Sequence, residues 1–444
     1  MLRIGRVLLV VLGVLLVPVL VAVVAIPRSS ASVYPEPGPR TLADAELPEA
    51  RPLDPTRPTV AIVIGDEGAN VADTLPPFEA FARAGGFNVV LVSPTQRLVP
   101  LLGGLDVVPD FTFADLDRAL PRPPEVIVVP QIHGSSSAVV EWVRRQHEAG
   151  APLVMSVCVG AEVVADAGLL ADRPATSHWL GLIGLRRSHP DIDWVEGQRF
   201  VDTGEVVTTA GVLSGVDGAL RVIERLMDAG TAQRVRDELH WQGYEPGGPV
   251  AIATASPRPA DLVALLSASL RWDRPTTGVL LTDDVGEVEL ASAFRPYTEL
   301  SFLSTMRTVT RDGAPVRSLH GLTFVPRSSW SQARPDLDRL VVPGAKAAEA
   351  HAAADLPEVG DTAYLHRNGG EFAFDGALRD VASTYDAATA TWVAKSLQYP
   401  RPILPADARA WPWSLTLRLL LLAAAGGLLA LMALRITRRL VRRP

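Results

Sequence analysis

Pro152-Leu153-Val154-Met155-Ser156-Val157-Cys158-Val159-Gly160-Ala161, running straight into Glu162-Val163-Val164-Ala165-Asp166-Ala167-Gly168-Leu169-Leu170, is the stretch on which the fold turns. The apolar, partly β-branched run before Cys158 reads as a buried strand, and the segment after Gly160 reads as a helix. A Cys at that junction, with a small residue two positions later, makes a nucleophile elbow. The sharp turn lifts the side chain above the end of a sheet. The backbone amides of Val159 and Gly160 then stand at a helix N-terminus, where they can hold an oxyanion. The helix dipole also favours the thiolate of Cys158, the reactive form. An inert core thiol is the competing reading, because free Cys is among the most buried residues; the turn and the helix weigh against it.

The surrounding chain supplies the rest of a sheet. Thr59-Val60-Ala61-Ile62-Val63-Ile64 ends in a Gly-Asp turn, a helix pattern follows with Leu75, Phe78, Phe81 and Ala82, and further strands read at Asn88 to Ser93 and Val126 to Pro130. Strands alternating with helices imply a doubly wound α/β sheet with its site at the strand carboxyl ends. A second block repeats the pattern. His320-Gly321-Leu322-Thr323-Phe324-Val325-Pro326 matches Gly103 to Pro109 at an offset of 217, and Leu340-Val341-Val342-Pro343 matches Ile127 to Pro130 at 213. Asp375-Gly376-Ala377-Leu378-Arg379 reproduces Asp217 to Arg221 at an offset of 158. Three matches in order indicate a duplication from which about 55 residues, the elbow region, are missing.

Val157-Cys158-Val159-Gly160-Ala161, Ala167-Gly168-Leu169-Leu170 and Ala175-Thr176-Ser177-His178-Trp179 together resemble the DJ-1/PfpI family, in particular the branch of isonitrile hydratases and the amidotransferase-like domains of AraC-type regulators. The resemblance spans about residues 59–242 and implies an α/β, flavodoxin-like parallel-sheet sandwich of the class I glutamine amidotransferase type. It also implies a carboxylate on the first helix that hydrogen-bonds the Cys. Asp73 occupies that place, although Asp66 and Glu67 lie in the same turn and compete, and a first-turn Asp is favoured by the helix dipole alone. His178 matches the family's histidine, in the role of auxiliary base or of a structural partner to Trp179. Where the family places Gly-Gly after the third strand, this chain has Gln131-Ile132-His133-Gly134. Positive φ is costly for Ile, so that loop must be shaped differently. Gln131 and His133 become candidate pocket residues. No cofactor and no metal site are expected. The degenerate second block, 249–399, is expected to pack on the first as an internal pseudo-dimer.

The chain ends read as membrane segments. Val7 to Ile26 holds twenty residues without a charge, about 30 Å as a helix, the thickness of a bilayer core. A cleaved signal peptide competes, but its apolar region is usually shorter. A second run, 414–434, is introduced by Trp411 and Trp413 and followed by Arg435, Arg438, Arg439, Arg442 and Arg443. The positive-inside rule then puts both termini, including the basic tail 435–444, in the cytoplasm and the globular part outside. Proline-rich linkers are expected at 27–58 and 400–413. Composition agrees with this layout. All 49 acidic residues and 33 of the 42 basic ones lie in the interior between Arg28 and Arg418, a net −16, while the other nine basic residues sit at the two ends. An acidic body between basic, apolar ends excludes a nucleic-acid partner, and one Cys among 444 residues excludes a disulfide framework. Two functions fit: a membrane-anchored Cys-dependent hydrolase or hydratase acting on a small molecule, or a non-catalytic sensor or scaffold in a membrane protein complex that uses the same pocket.

Overall fold

The computed structural model describes residues 2–36, 51–150, 152–400 and 402–441. Of the expected first linker, 37–50 lie outside the described residues, as do 442–444 of the basic tail with Arg442 and Arg443.

The first sheet has seven strands built around Thr59–Val63. Asn88–Ser93 and Phe111–Thr112 lie to one side. Val126–Val129, Leu153–Val157, Val206–Thr209 and the antiparallel Phe200–Asp202 lie to the other. The central strands are buried on both faces, which is why they read as unbroken apolar runs rather than as alternating ones. The second sheet is built the same way around Thr276–Leu280, with Thr305–Thr310 and Ser328–Ser329 to one side and Arg339–Val342 and Asp361–Tyr364 to the other. This α/β architecture with a second sheet region and two apolar terminal helices is the one the sequence implies.

A small four-stranded sheet joins the two halves. Leu105–Val108 pairs antiparallel with Thr323–Val325, so that Val107 faces Phe324, the position 217 residues further on. Helix Val71–Ala84 packs on helix Glu287–Phe294 at the same interface. There Glu79 accepts a 2.7 Å bond from the Val288 amide. Glu79, Glu287 and His320 bring ligand-type atoms within 4.8 Å of one another. Protein groups already engage them: Arg83 pairs with Glu79, and Ser318 and His320 bond Glu287.

The later helices also answer one another. Asp217 and Asp375 stand in the first turns of Ser214–Leu226 and Ala373–Thr384. Asp217 accepts from the Trp241 indole at 3.0 Å, and Asp375 accepts from the Tyr399 hydroxyl at 2.8 Å. Those two rings lie 158 residues apart in the chain and stack with centroids 5.9 Å apart.

Two helix ends and one strand differ from the sequence reading. The first helix runs on through Pro27 to Ala31, so residues 27–31 are helical and not extended linker. The last helix runs Trp413–Val441, which makes the first part of the basic tail helical too. Charged residues do not stop a helix; they only end its apolar stretch. The second block, moreover, does keep a strand at the elbow position. Asp361–Tyr364 lies beside Arg339–Val342 as Leu153–Val157 lies beside Val126–Val129, and the register sets His366 where the first sheet has Cys158. As a partly exposed edge strand it needs no apolar run, and so it carries no apolar signature.

Candidate active site

Cys158 follows the strand Leu153–Val157 at φ 58° and is 3% exposed. A non-glycine residue in that region is strained, and such strain persists only where the surroundings impose it. Here two contacts do so. The Ser177 hydroxyl donates to the Cys158 carbonyl at 2.7 Å. The next turn presses so close to the neighbouring strand that a Cβ on Gly160 would sit 2.2 Å from the Val129 carbonyl oxygen. Only glycine fits there, and that is the physical content of the small residue two positions after the Cys.

Asp73 is fully buried in the first turn of its helix, but it is not the cap. Asn70 is, its side chain accepting from the Ala72 amide. Asp73 Oδ2 accepts from the Gln131 amide at 3.2 Å, while Oδ1 has no hydrogen-bond partner. Burial pushes the Asp73 carboxyl well above the usual range, against the Gln131 amide that pulls it down, and the protonated form is favoured. The Cys158 thiol lies beside it, close enough for each group to perturb the other. The rival carboxylates are engaged elsewhere. Asp66 accepts from Thr95, and Glu67 accepts from the Ser135 amide.

The helix dipole does not win at Cys158. Burial first, then Asp73 and Glu299, push the thiol well above its ordinary value, and the Val159 amide, which bonds the sulfur, only partly offsets them. A thiolate at a helix start is expected where water reaches it; here the site is closed. The Val159 amide is thus aimed at the sulfur, and Gly160 opens the helix behind it.

The loop after Val129 takes its own shape, as Ile132 requires. Positive φ falls on Gly134 instead, where a Cβ would strike the Glu67 carboxyl. The Gln131 amide is spent on Asp73, and its side chain exchanges hydrogen bonds with Asn70 and Glu299. His133 stacks on Tyr34 with ring centroids 3.9 Å apart. His178 is buried, and burial lowers its imidazole to about 4, so it is neutral at pH 7. Its Nε2 donates to the Ser396 carbonyl at 2.8 Å, which leaves the lone pair on Nδ1. The elbow, Asp73, Gln131 and His133 converge; His178 is tied to the second half of the chain.

Three residues of the site went unread in the sequence. Tyr34 closes it from the segment after the first helix, its hydroxyl buried and without a partner, while Val33 accepts from the Gly103 amide. Arg295 and Glu299 come from the second block and form an ion pair at 3.2 Å between a buried guanidinium and a half-buried carboxylate, and Asn70 Nδ2 donates to the same carboxylate at 3.1 Å. No motif marks them. Only the expectation that two copies pack together pointed toward that stretch.

Comparison with known proteins gives the family. The DJ-1/PfpI family profile matches residues 58–225. The isonitrile hydratase of Pseudomonas putida is 30% identical over 200 residues, which cover 43% of this chain and 81% of that protein. The chain belongs to the DJ-1/PfpI family. The HTH-type transcriptional regulator GlxA of Rhizobium meliloti is 27% identical over 238 residues, 50% of this chain and 73% of that one. Among solved structures, Drosophila melanogaster DJ-1beta aligns with a TM-score of 0.37 at 21% identity, over 41% of this chain and 97% of that one. In this DJ-1/PfpI member the elbow is covered by Tyr34, from the segment after the first helix, and by Arg295 and Glu299 of the second half.

Proposed function

We propose that this is a membrane-anchored DJ-1/PfpI protein whose Cys158 adds to an electrophilic carbon of a small uncharged molecule, as a hydratase or hydrolase. One observation carries the reading: a strained elbow holds the thiol beside a carboxyl whose Oδ1 is buried and unpartnered. A buried polar atom left without a partner costs about 1–3 kcal/mol, which a ligand can recover. An uncharged substrate fits because the ion pair at the site, Arg295 with Glu299, is already balanced. With an isonitrile, the chemistry named for the Pseudomonas relative, Cys158 sulfur would bond to the terminal carbon while the thiol proton passes through Asp73 to that same carbon. Water then adds to the thioimidate and expels the thiol, leaving an N-substituted formamide. Full-length protein incubated with cyclohexyl isocyanide should yield the formamide by mass spectrometry, and Cys158→Ala should abolish it.

The second reading, a ligand-binding sensor without turnover, is favoured by the raised thiol. No turnover, together with saturable protection of Cys158 from alkylation by a small molecule, would select it. We also infer that the second half is a degenerate duplicate forming an internal pseudo-dimer. Its strand order, the Val107–Phe324 pairing and the answering Asp217–Trp241 and Asp375–Tyr399 bonds support this. Val7–Ala31 and Trp413–Thr437 are each long and apolar enough to cross a bilayer. A spanning pair with both termini cytoplasmic is the topology we assign.

A further inference from the structure

A cavity of about 640 Å³ lies where the first helix meets the globular body. Its floor is apolar, formed by Leu20, Val21, Val24 and Ala25 of the first helix. Its other end is cationic, with Arg28, Arg271 and Arg274. None of these three arginines forms an ion pair among the described residues. The nearby Asp273 is taken by Arg418, and Asp386 caps a helix by accepting from Thr389. Arg271 and Arg274 each have a buried Nε without a hydrogen-bond partner. Ser269, 6% exposed and lining the same cavity, has an unpartnered Oγ as well. Burial pulls both guanidinium groups below their usual values, as expected of cations held without a counter-charge.

The cavity is held in place. Ser29 donates to the Ala268 carbonyl at 2.7 Å and also receives a bond from Arg274, which ties the end of the first helix to helix Leu262–Leu270. That short helix packs on both terminal helices and exposes Leu262 and Leu265. Trp272, 62% exposed, follows at the same level. An exposed Trp beside apolar helices marks the depth of the lipid headgroups.

We infer that this cavity binds one anionic phospholipid from the surrounding bilayer, its phosphate on Arg271, Arg274 and Ser269 and an acyl chain along Leu20 and Val24. Guanidinium groups match phosphate oxygens in pairs, and the apolar floor gives the chain a dry surface continuous with the membrane core. The inference rests on the reading that the terminal helices span a bilayer.

The full chain, purified in mild detergent and delipidated, would be titrated with phosphatidylglycerol or phosphatidylcholine and followed by native mass spectrometry and melting temperature. One phosphatidylglycerol should be retained per chain, at least tenfold in preference to phosphatidylcholine. Arg271→Gln with Arg274→Gln should bring that preference close to one. The double Lys variant should keep most of it, and Arg435→Gln at the far end of the last helix should leave it unchanged. Equal retention of both lipids, or a double Gln variant that keeps the preference, overturns the site. Equal stabilisation by inorganic phosphate alone also overturns it, by showing that the ligand is a soluble phosphoryl group. Carbonate extraction separates the two readings. A chain released as soluble protein overturns the membrane anchoring and this site together, whereas a chain retained in membranes without lipid preference overturns the site alone.

Discussion

At the scale of the residue, the site is governed by desolvation. Burial is the largest influence on Asp73, Cys158, His178 and Tyr34 alike, and in each it favours the neutral form. Opening the site should therefore do more for Cys158 than any change of charge. Tyr34→Ala is expected to speed iodoacetamide alkylation at pH 8 at least tenfold, while the native thiol stays slow through pH 9; equal rates would show that Tyr34 does not shield the sulfur. Asp73→Asn should lower turnover about 100-fold, the lower end of what a positioned acid–base group supplies. His178 makes a separate, signed prediction. Its imidazole is lowered to about 4 when folded, so below its ordinary value the unfolded chain binds a proton that the folded chain refuses. Stability is thus complete above about pH 6.5 and falls as pH drops toward 4, by up to about 3 kcal/mol. Chemical denaturation across that range should show the slope in the native protein and lose it in His178→Gln.

At the scale of the element, legibility followed burial. The central strands and the elbow were legible because elements buried on both faces must be apolar throughout, and because the small residue two positions after the Cys has a steric cause that Gly160 displays. Gly160→Ala should cost at least about 3 kcal/mol, the upper range of overpacking, since its clash is with backbone that cannot rotate away; a melting-temperature loss of only a degree or two would contradict this. The strand Asp361–Tyr364 was not legible, because an edge strand with partly exposed residues has no pattern to show. The helix ends were misjudged for a related reason. Hydropathy reports where an apolar stretch stops, not where hydrogen bonding does, and the first helix continues to Ala31. Arg295 and Glu299 had no local signature at all. Their part in the site exists only through the packing of one half on the other.

At the scale of the whole molecule, the two terminal helices and the two sheets are each joined by close contacts. The helices cross at Gly13 and Gly426, where a Cβ on Gly426 would lie 2.0 Å from the Gly13 carbonyl oxygen. Small residues permit such an approach in a bilayer. Gly13→Leu should force the helices apart and lower the melting temperature in detergent without changing Cys158 alkylation. If alkylation changes as well, the helix pair and the site are mechanically linked. Between the sheets, Phe324→Asp would place a charge in the ladder opposite Val107, and the two halves should then melt in two transitions in place of one.

The bond from His178 to the Ser396 carbonyl has a consequence in time. It spans 218 residues of chain, and the ladder at Val107 and Phe324 spans almost as many. Contacts so distant in sequence form late, because loop closure must come before they repay it. During synthesis the elbow strand emerges long before Ser396 does. A nascent chain therefore lacks the Arg295–Glu299 side of the Cys158 site until synthesis reaches its last third. Pulsed alkylation during refolding should find sheet content restored first and the thiol protected last.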